Sequence, residues 1–510
     1  MRNNKILLKL ALVAFTLGSC NKYLDVNTDP NRPTDANITP ELIFTQAEAA
    51  VAFRTTSNTY TLFLNHWVGY SAQNGTFAPQ QNEITYNIDQ SFANAIFVWW
   101  NEVLFDLHQA KVKSLETGNN GIAAASMILT ADLTQQLVDL YGNIPYSQAF
   151  NVNAYPTPDY DNAKDIYNDL QGVLDSAILL LGTEAPSSFG ASDIIAGGNQ
   201  TLWIKFANTL KLRLLIRQSE VSGFDPSSEI SKITANGGVL MAGESMSVNP
   251  GYVNDVGKQN PFYANFGWSP TGVVNTSSDN ANNFIINALG NDGDPRIERF
   301  FYPVGFDGAN GFLGAVYGDD ISNIPPASGL SYFGPGVVGN INSANAGDGT
   351  GAAASQWIMP SYESMFLYAE AVERGWFPGT AQTAYEDAVR ESFIWLGVPD
   401  AVNSANTYMA NNADADYTQA GPTLAEKVNF INYQKYLANT MIDPVESYSD
   451  IRRLPNMMPS DDYISKASGN SHTTLPLRLP YPSSEATTNG TNLAKQGTID
   501  IYSSKLFWEP

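Results

Sequence analysis

The chain has 510 residues, with one cysteine, three histidines, a formal charge of −23 and only 15% charged side chains. So acidic a surface repels phosphate backbones and anionic headgroups, which argues against nucleic-acid binding and against electrostatic docking on a membrane. Cys20 has no second thiol to pair with, so the fold rests on its core, and a chain of this length can bury a large one.

The N-terminus reads as a secretion signal of the lipoprotein type over residues 1–19. Arg2, Lys5 and Lys9 precede a short apolar run ending at Leu17, and the small residues Gly18 and Ser19 stand before Cys20. That run is about half the roughly 20 residues a membrane-spanning helix needs. Leu17-Gly18-Ser19-Cys20 matches the bacterial lipobox, in which the sulfur takes the lipid and the small neighbours fit the peptidase. Cys20 is therefore the expected lipid anchor. Loss of the three leader cations takes the formal charge from −23 to −26. Residues 20–40, with Asp29-Pro30, Arg32-Pro33 and Thr39-Pro40, read as an extended leader.

Helical periodicity follows. It is predicted over 40–56 (Leu42, Ile43, Ala47, Ala50, Val51), 90–116 (Ile96, Trp100, Val103, Leu104, Leu107) and 121–140 (Ile122, Ala125, Leu129, Leu133, Leu137). Over 201–219, Leu202, Trp203, Phe206, Leu210 and Leu214 share one face, and Lys205, Lys211 and Arg217 are assigned to the other. Nearer the C-terminus a helix is expected to end at Gly375, and a second to open at Thr380 and stop at Gly397. Ala381, Tyr385 and Ala388 have the spacing of the second helix of a tetratricopeptide repeat, and Ala163, Tyr167 and Leu170 are a weaker copy. Between the helical parts, residues 222–356 are rich in Gly, Asn, Ser, Pro and aromatics, and read as functional loops with short strands. Residues 398–422 form a second polar excursion. The expected fold class is mainly α: tetratricopeptide-like helix pairs forming a superhelical scaffold, with the loop-rich insertion, in a single domain over 41–510.

The chemistry of most enzyme classes is missing. His66, His108 and His472 stand in no zinc-ligand spacing, and neither a Gly-x-Ser-x-Gly elbow nor a phosphate-binding loop occurs. Asn291, Asp292 and Asp294 offer oxygens to a calcium ion, but their spacing is not that of an EF-hand, and an Asx-capped turn explains them as well. Glu370 and Arg374, four apart, form an expected surface or groove ion pair, and Asp450 with Arg452 or Arg453 a structural one. A neutral sugar asks for ring faces and for amide or carboxylate partners to its hydroxyls. Two stretches offer both: Tyr70, Gln73, Asn74 and Phe77 in the first, Tyr263, Asn265, Phe266 and Trp268 in the second, with Tyr332 and Phe333 added nearby. Trp67, Trp99, Trp100, Trp203 and Trp395 fall within helical patterns and are assigned to the core. Trp268, in a Gly/Pro/Asn-rich stretch, is the principal candidate for ligand stacking.

Several segments in order carry a resemblance. They are "SCNKYLDVNTDPN" (19–31), "LVDLYGNIPYSQAF" (137–150), "WIKFANTLKLRL" (203–214), Asp294-Pro295-Arg296, "YAEAVERG" (368–375), "DIRRLP" (450–455) and "KLFWEP" (505–510). Together they resemble the SusD/RagB-like outer-membrane lipoproteins. Tyr436 and Ile451 depart from the tryptophans frequent in that family's corresponding motifs, at positions expected to pack. The resemblance implies a helical, non-catalytic surface lipoprotein that captures glycans and hands them to a SusC-like TonB-dependent transporter. No cofactor is expected beyond the calcium ion that Asn291, Asp292 and Asp294 leave open. A peptide ligand for the same architecture, and a surface glycoside hydrolase working through paired carboxylates, remain as alternatives.

Overall fold

The computed structural model describes residues 38–53, 62–92, 94–183 and 189–510. The expected signal, Cys20 and nearly all of the leader lie outside them.

Helices dominate, and the apolar spacing places most of them. They are α1 (Pro40–Phe53), α2 (Asn94–Thr117), α3 (Asn120–Tyr141), α4 (Ala163–Thr183) and α5 (Gln200–Arg217). Then come α6 (Asn283–Asn291), α7 (Ser361–Glu373), α8 (Ala381–Leu396), α9 (Leu424–Ala438) and α10 (Pro444–Arg453). From α2 to α5 each helix packs on the next, α5 meets α7, and α7 packs on both α8 and α9. In the two repeat-like triplets, Ala163, Tyr167, Leu170, Tyr385 and Ala388 are buried where partner helices approach, and Ala381 is partly so. The punctuation is largely as expected: Gly375 (φ 74°) and Gly397 (φ 73°) take the left-handed conformation that ends a helix. Thr380 occupies the N-cap position of α8, but its side chain caps nothing.

Three expectations need correction. Residues 398–422 contain a helix, Ala401–Asn411, because Ala405, Tyr408 and Met409 supply a buried face that the surrounding Asn and Asp residues obscure. The loop-rich stretch holds several α-helices, of which Ser227–Ala235 and α6 are the longest. And Lys211 and Arg217 are not on a solvated face of α5. That helix is surrounded, and Lys211, Arg213 and Arg217 are buried in ion pairs, while Lys205 is half-buried. Lys211 meets Glu229 at 2.7 Å and also Asp175, Arg213 meets Asp132 at 2.5 Å, and Arg217 meets Asp139 at 3.1 Å and also Glu446.

These pairs continue into a buried ionic network across the helix array. Lys435 of α9 bridges Glu446 (2.8 Å) and Asp450 (2.6 Å) of α10. Arg453 of α10 binds Asp450 at 2.9 Å and grips both oxygens of Glu370 in α7, at 2.6 and 2.8 Å. Glu370 also receives Arg374 at 2.8 Å, so the expected i, i+4 pair exists, but with its carboxylate in the interior. Arg452 turns away from Asp450 to Glu509, at 3.1 Å. Buried charges persist only when paired this completely. At the two departures from the family pattern, Ile451 is buried and Tyr436 donates its hydroxyl to Val68 O at 2.6 Å, so both pack.

The loop-rich region is drawn onto the helices by short antiparallel ribbons. Ser71–Gln73 pairs with Asp279–Ala281, Met246–Val248 with Gln356–Met359, and Phe301–Tyr302 with Tyr332–Phe333. A fourth ribbon, Ile144–Pro145 with Tyr160–Asp161, closes the α3–α4 connection. There Asp161 accepts from Tyr146 N (3.0 Å) and Ser147 N (2.8 Å).

Candidate functional site

The three stretches singled out for sugar binding do come together. Ala72 stands opposite Asn280 in the first ribbon, and Tyr332 Oη donates to Phe266 O at 2.7 Å. They meet, however, as core. Trp268 is 1% exposed, with edge contacts to Tyr332 (5.7 Å between centroids) and Tyr302 (6.4 Å). The turn bridged between Ile341 and Gly347 lies over its face: a Cβ on Gly347 would stand 2.8 Å from Trp268 Cε3. Tyr263, Phe266, Tyr332 and Phe333 are buried in the same cluster.

Tyr70 is buried, with its hydroxyl 2.6 Å from Tyr436 O and 2.7 Å from Ser447 Oγ. Asn74 is buried too, donating to Ser277 O (2.8 Å) and Asn280 Oδ1 (3.0 Å). Asn265 and Gln73 are half-buried, and the Asn265 amide donates back to Pro261 O at 2.9 Å. Of the ten candidates only Phe77, 39% exposed, presents an open surface. The reason is physical: a region of more than a hundred residues with few aliphatics needs a core of its own. Each aromatic ring buries about 150–250 Å², so the rings are used up inside. The assignment of Trp67, Trp100 and Trp203 to the core holds, and Trp99 and Trp395 are half-buried against it.

Open concave surface lies elsewhere. A cleft of about 630 Å³ is formed by residues 86–90 on one side and by His472, Pro480, Tyr481 and residues 497–502 on the other. This is within the range of roughly 300–1,000 Å³ usual for small-ligand sites. Asn87, Asp89, Gln90, Thr498 and Asp500 give it a polar rim, and among the described residues no lysine or arginine lines it. Inside, the rings of His472 and Tyr502 lie parallel, 3.8 Å apart with a 7° interplanar angle. Tyr502 is pinned by its hydroxyl to Tyr86 O (2.7 Å), and Tyr86 in turn accepts Ser465 N (2.9 Å). Asp89 and Asp500 are held below the usual carboxylate range by hydrogen bonds from their own turns, so neither is a proton donor near neutral pH.

Close in sequence to the first wall of this cleft, Glu83 belongs to a buried polar cluster. His66 sits between Glu83 Oε1 (2.6 Å) and Asp279 Oδ1 (3.0 Å), and Tyr317 Oη adds a bond to the same Glu83 oxygen at 3.2 Å. Burial works against a charged imidazole, but the two carboxylates outweigh it, and the His66 pKa is pushed up to about 10. The imidazolium thus ties the helix Leu62–Trp67 to the turn leading into residues 86–90 and to the strand leading into α6.

A second cleft, of about 510 Å³, runs along α6 and is closed by Tyr433, Asp414 and residues 459–466. Asp292, at its end, is pushed up to about 6 by burial and by Asp414 and Asp294. Of the three residues considered for calcium, Asp294 is buried and spends both oxygens on Arg296, with contacts of 2.6–3.1 Å, while Asn291 and Asp292 line the cleft. Among the described residues no group of three or more His, Cys, Asp or Glu side chains is placed to hold a metal ion.

The sequence reading missed both clefts. The stretch Tyr481–Tyr502 mixes Tyr, Asn, Thr and Asp much as the favoured loops do, and that composition was the available signal.

Compared with known families, residues 30–482 match the SusD-like family described as starch-binding and associating with the outer membrane. The chain belongs to the SusD-like family. Its members are binding proteins, and the helix array and loop-rich face are those of solved SusD-like structures. A SusD homologue from Bacteroides fragilis superposes with a TM-score of 0.70 at 21% identity, over 92% of this chain and 99% of that one. A SusD/RagB family protein from Bacteroides thetaiotaomicron gives 0.72 at 21% identity, over 92% and 99%. A chitin-binding SusD homologue from Flavobacterium johnsoniae gives 0.69 at 23% identity, over 91% and 97%. No curated protein matches in sequence. Among the described residues of this SusD-like chain, no helix is long and apolar enough to cross a membrane.

Proposed function

We propose that this SusD-like protein is a lipid-anchored cell-surface receptor that captures oligosaccharides and delivers them to a SusC-like TonB-dependent transporter, without catalysis. Residues 41–510 act as one unit and Cys20 carries the lipid. The observation that carries the reading is the cleft between residues 86–90 and 497–502. It is large enough for a short glycan, rimmed by amides, hydroxyls and two low-pKa carboxylates, and lined by no lysine or arginine among the described residues. Such a rim suits uncharged hydroxyl-rich ligands and repels polyanions. The chitin-binding neighbour is consistent with a glycan, although it shares only 23% of its residues.

The test is a combined glycan and peptide array on the soluble chain beginning at residue 21, with Gln90→Ala and Asn87→Ala beside it. Retention of oligosaccharides, weakened by either substitution, is the expected result. Retention of peptides alone overturns the glycan reading, and release of shortened glycans overturns the non-catalytic one.

A further inference from the structure

The second cleft has a feature the first lacks. α6 carries Asn283, Asn287 and Asn291 four residues apart, which sets their side chains in a row on one helix face, about 6 Å from one to the next. All three line the cleft together with Phe284 and Ala288, while Ile285, Ile286 and Leu289 bury the other face of the helix. None of the three amides has a hydrogen-bond partner among the described residues. Asparagine is a poor residue for a helix interior because it competes for the backbone. Here α6 is held instead by its apolar face and by Asn282, whose side chain accepts Phe284 N at 2.8 Å and donates to Ser71 O at 3.3 Å. Across the cleft stands Tyr433, stacked parallel on Tyr436 (6.2 Å, 9°). Asp292 and Asp414 also line it, neither with a cationic partner among the described residues, and Lys466 of the same lining is paired with Asp462 at 3.2 Å.

We propose that the α6 cleft is a second saccharide subsite, built for an extended β-linked chain whose successive sugars each meet one amide of the Asn283–Asn287–Asn291 row. This rests on the glycan-capture reading and adds a ligand class to it. An amide offers donor and acceptor together, which matches a pair of neighbouring hydroxyls or an acetamido group. The pitch of the row is close to the advance of one pyranose in a stretched β-1,4 chain. An α-1,4 chain coils and carries its hydroxyls away from a straight row. Asp292 and Asp414 accept hydroxyl hydrogens at the end of the track, and Tyr433 supplies the apolar wall.

The test is calorimetric titration of the soluble chain from residue 21 with cello-, chito- and malto-oligosaccharides of two to six sugars, with wild type and Asn287→Ala side by side. A β-linked series should bind more tightly as it lengthens to three sugars, and the α-linked series should not. Asn287 is exposed, so Asn287→Ala should keep the wild-type Tm while weakening the β-linked trimer about five- to tenfold, the loss of one or two hydrogen bonds. Binding of β-linked glycans that Asn287→Ala leaves unchanged, or equal binding of the α-linked series, overturns the subsite while leaving glycan capture in place. No binding of any glycan, there or on the array, overturns both.

Discussion

His66 makes the alkaline stability of this protein predictable. Its imidazole lies between Glu83 and Asp279 with no access to solvent, and its folded-state pKa stands at about 10 against an ordinary 6.5. Between those two values the folded protein keeps a proton that the unfolded chain has lost. The contribution is therefore complete below pH 6.5 and declines as the pH rises towards 10. Each pH unit in that window removes about 1.4 kcal/mol, so going from pH 7 to 9.5 should remove about 3 kcal/mol. Tyr86 and Tyr317, the nearest phenols, are held above their ordinary value of 10 by burial and do not titrate in this window. The assay is thermal unfolding at half-unit steps from pH 6 to 10, on wild type and His66→Gln. The variant starts lower, by about 3–5 kcal/mol, because it leaves two buried carboxylates without their cation. Its curve should then be much flatter than the wild type's. A wild-type Tm that does not fall between pH 7 and 9.5, or an equal fall in His66→Gln, refutes the reasoning.

Other perturbations separate scaffold from site. Glu370, between Arg453 and Arg374, has its carboxyl held well below the usual range: burial opposes the charge and the two guanidinium groups overcome it. Its contribution is present above the ordinary carboxylate pKa and is lost as acid approaches the folded value. Arg453→Ala should cost about 3–5 kcal/mol at pH 7, read as a loss in denaturation midpoint. Trp268→Ala should likewise lower stability by about 3–5 kcal/mol, whereas Phe77→Ala should stay within about 0.5 kcal/mol; matching chemical denaturation curves for the two would contradict the burial described. Gly347→Ala should lower the Tm as well, since its Cβ meets Tyr263 Oη and Trp268 Cε3. Cys20→Ala should shift the protein from the membrane fraction to the soluble one, and a variant that stays with the membrane removes the lipobox reading.

The helices were legible wherever apolar residues kept a 3.6-residue period, as in α2 to α5, α7 and α8. α6 escaped because its period is short and its exposed face is asparagine, the composition of a loop. The charges of α5 were misplaced for a different reason. Polarity is a property of Lys211, but burial depends on its acidic partners Asp175 and Glu229, which the spacing within α5 does not show. The rings failed in the same way, since a tryptophan in a Gly-rich stretch looks alike whether a turn covers it or not. The first cleft was beyond reach because its walls, residues 86–90 and 472–502, are separated by most of the chain.

The turn from Ile341 to Gly347 gives Trp268 a meaning beyond packing. It is a surface segment laid over a cluster of rings that pack on one another underneath. Shortening that segment would bare an indole with its neighbours in place and no helix disturbed. Within this architecture the rings that a stacking surface would need are already gathered under one exposed turn, and that turn is the part of the chain that decides whether they meet solvent.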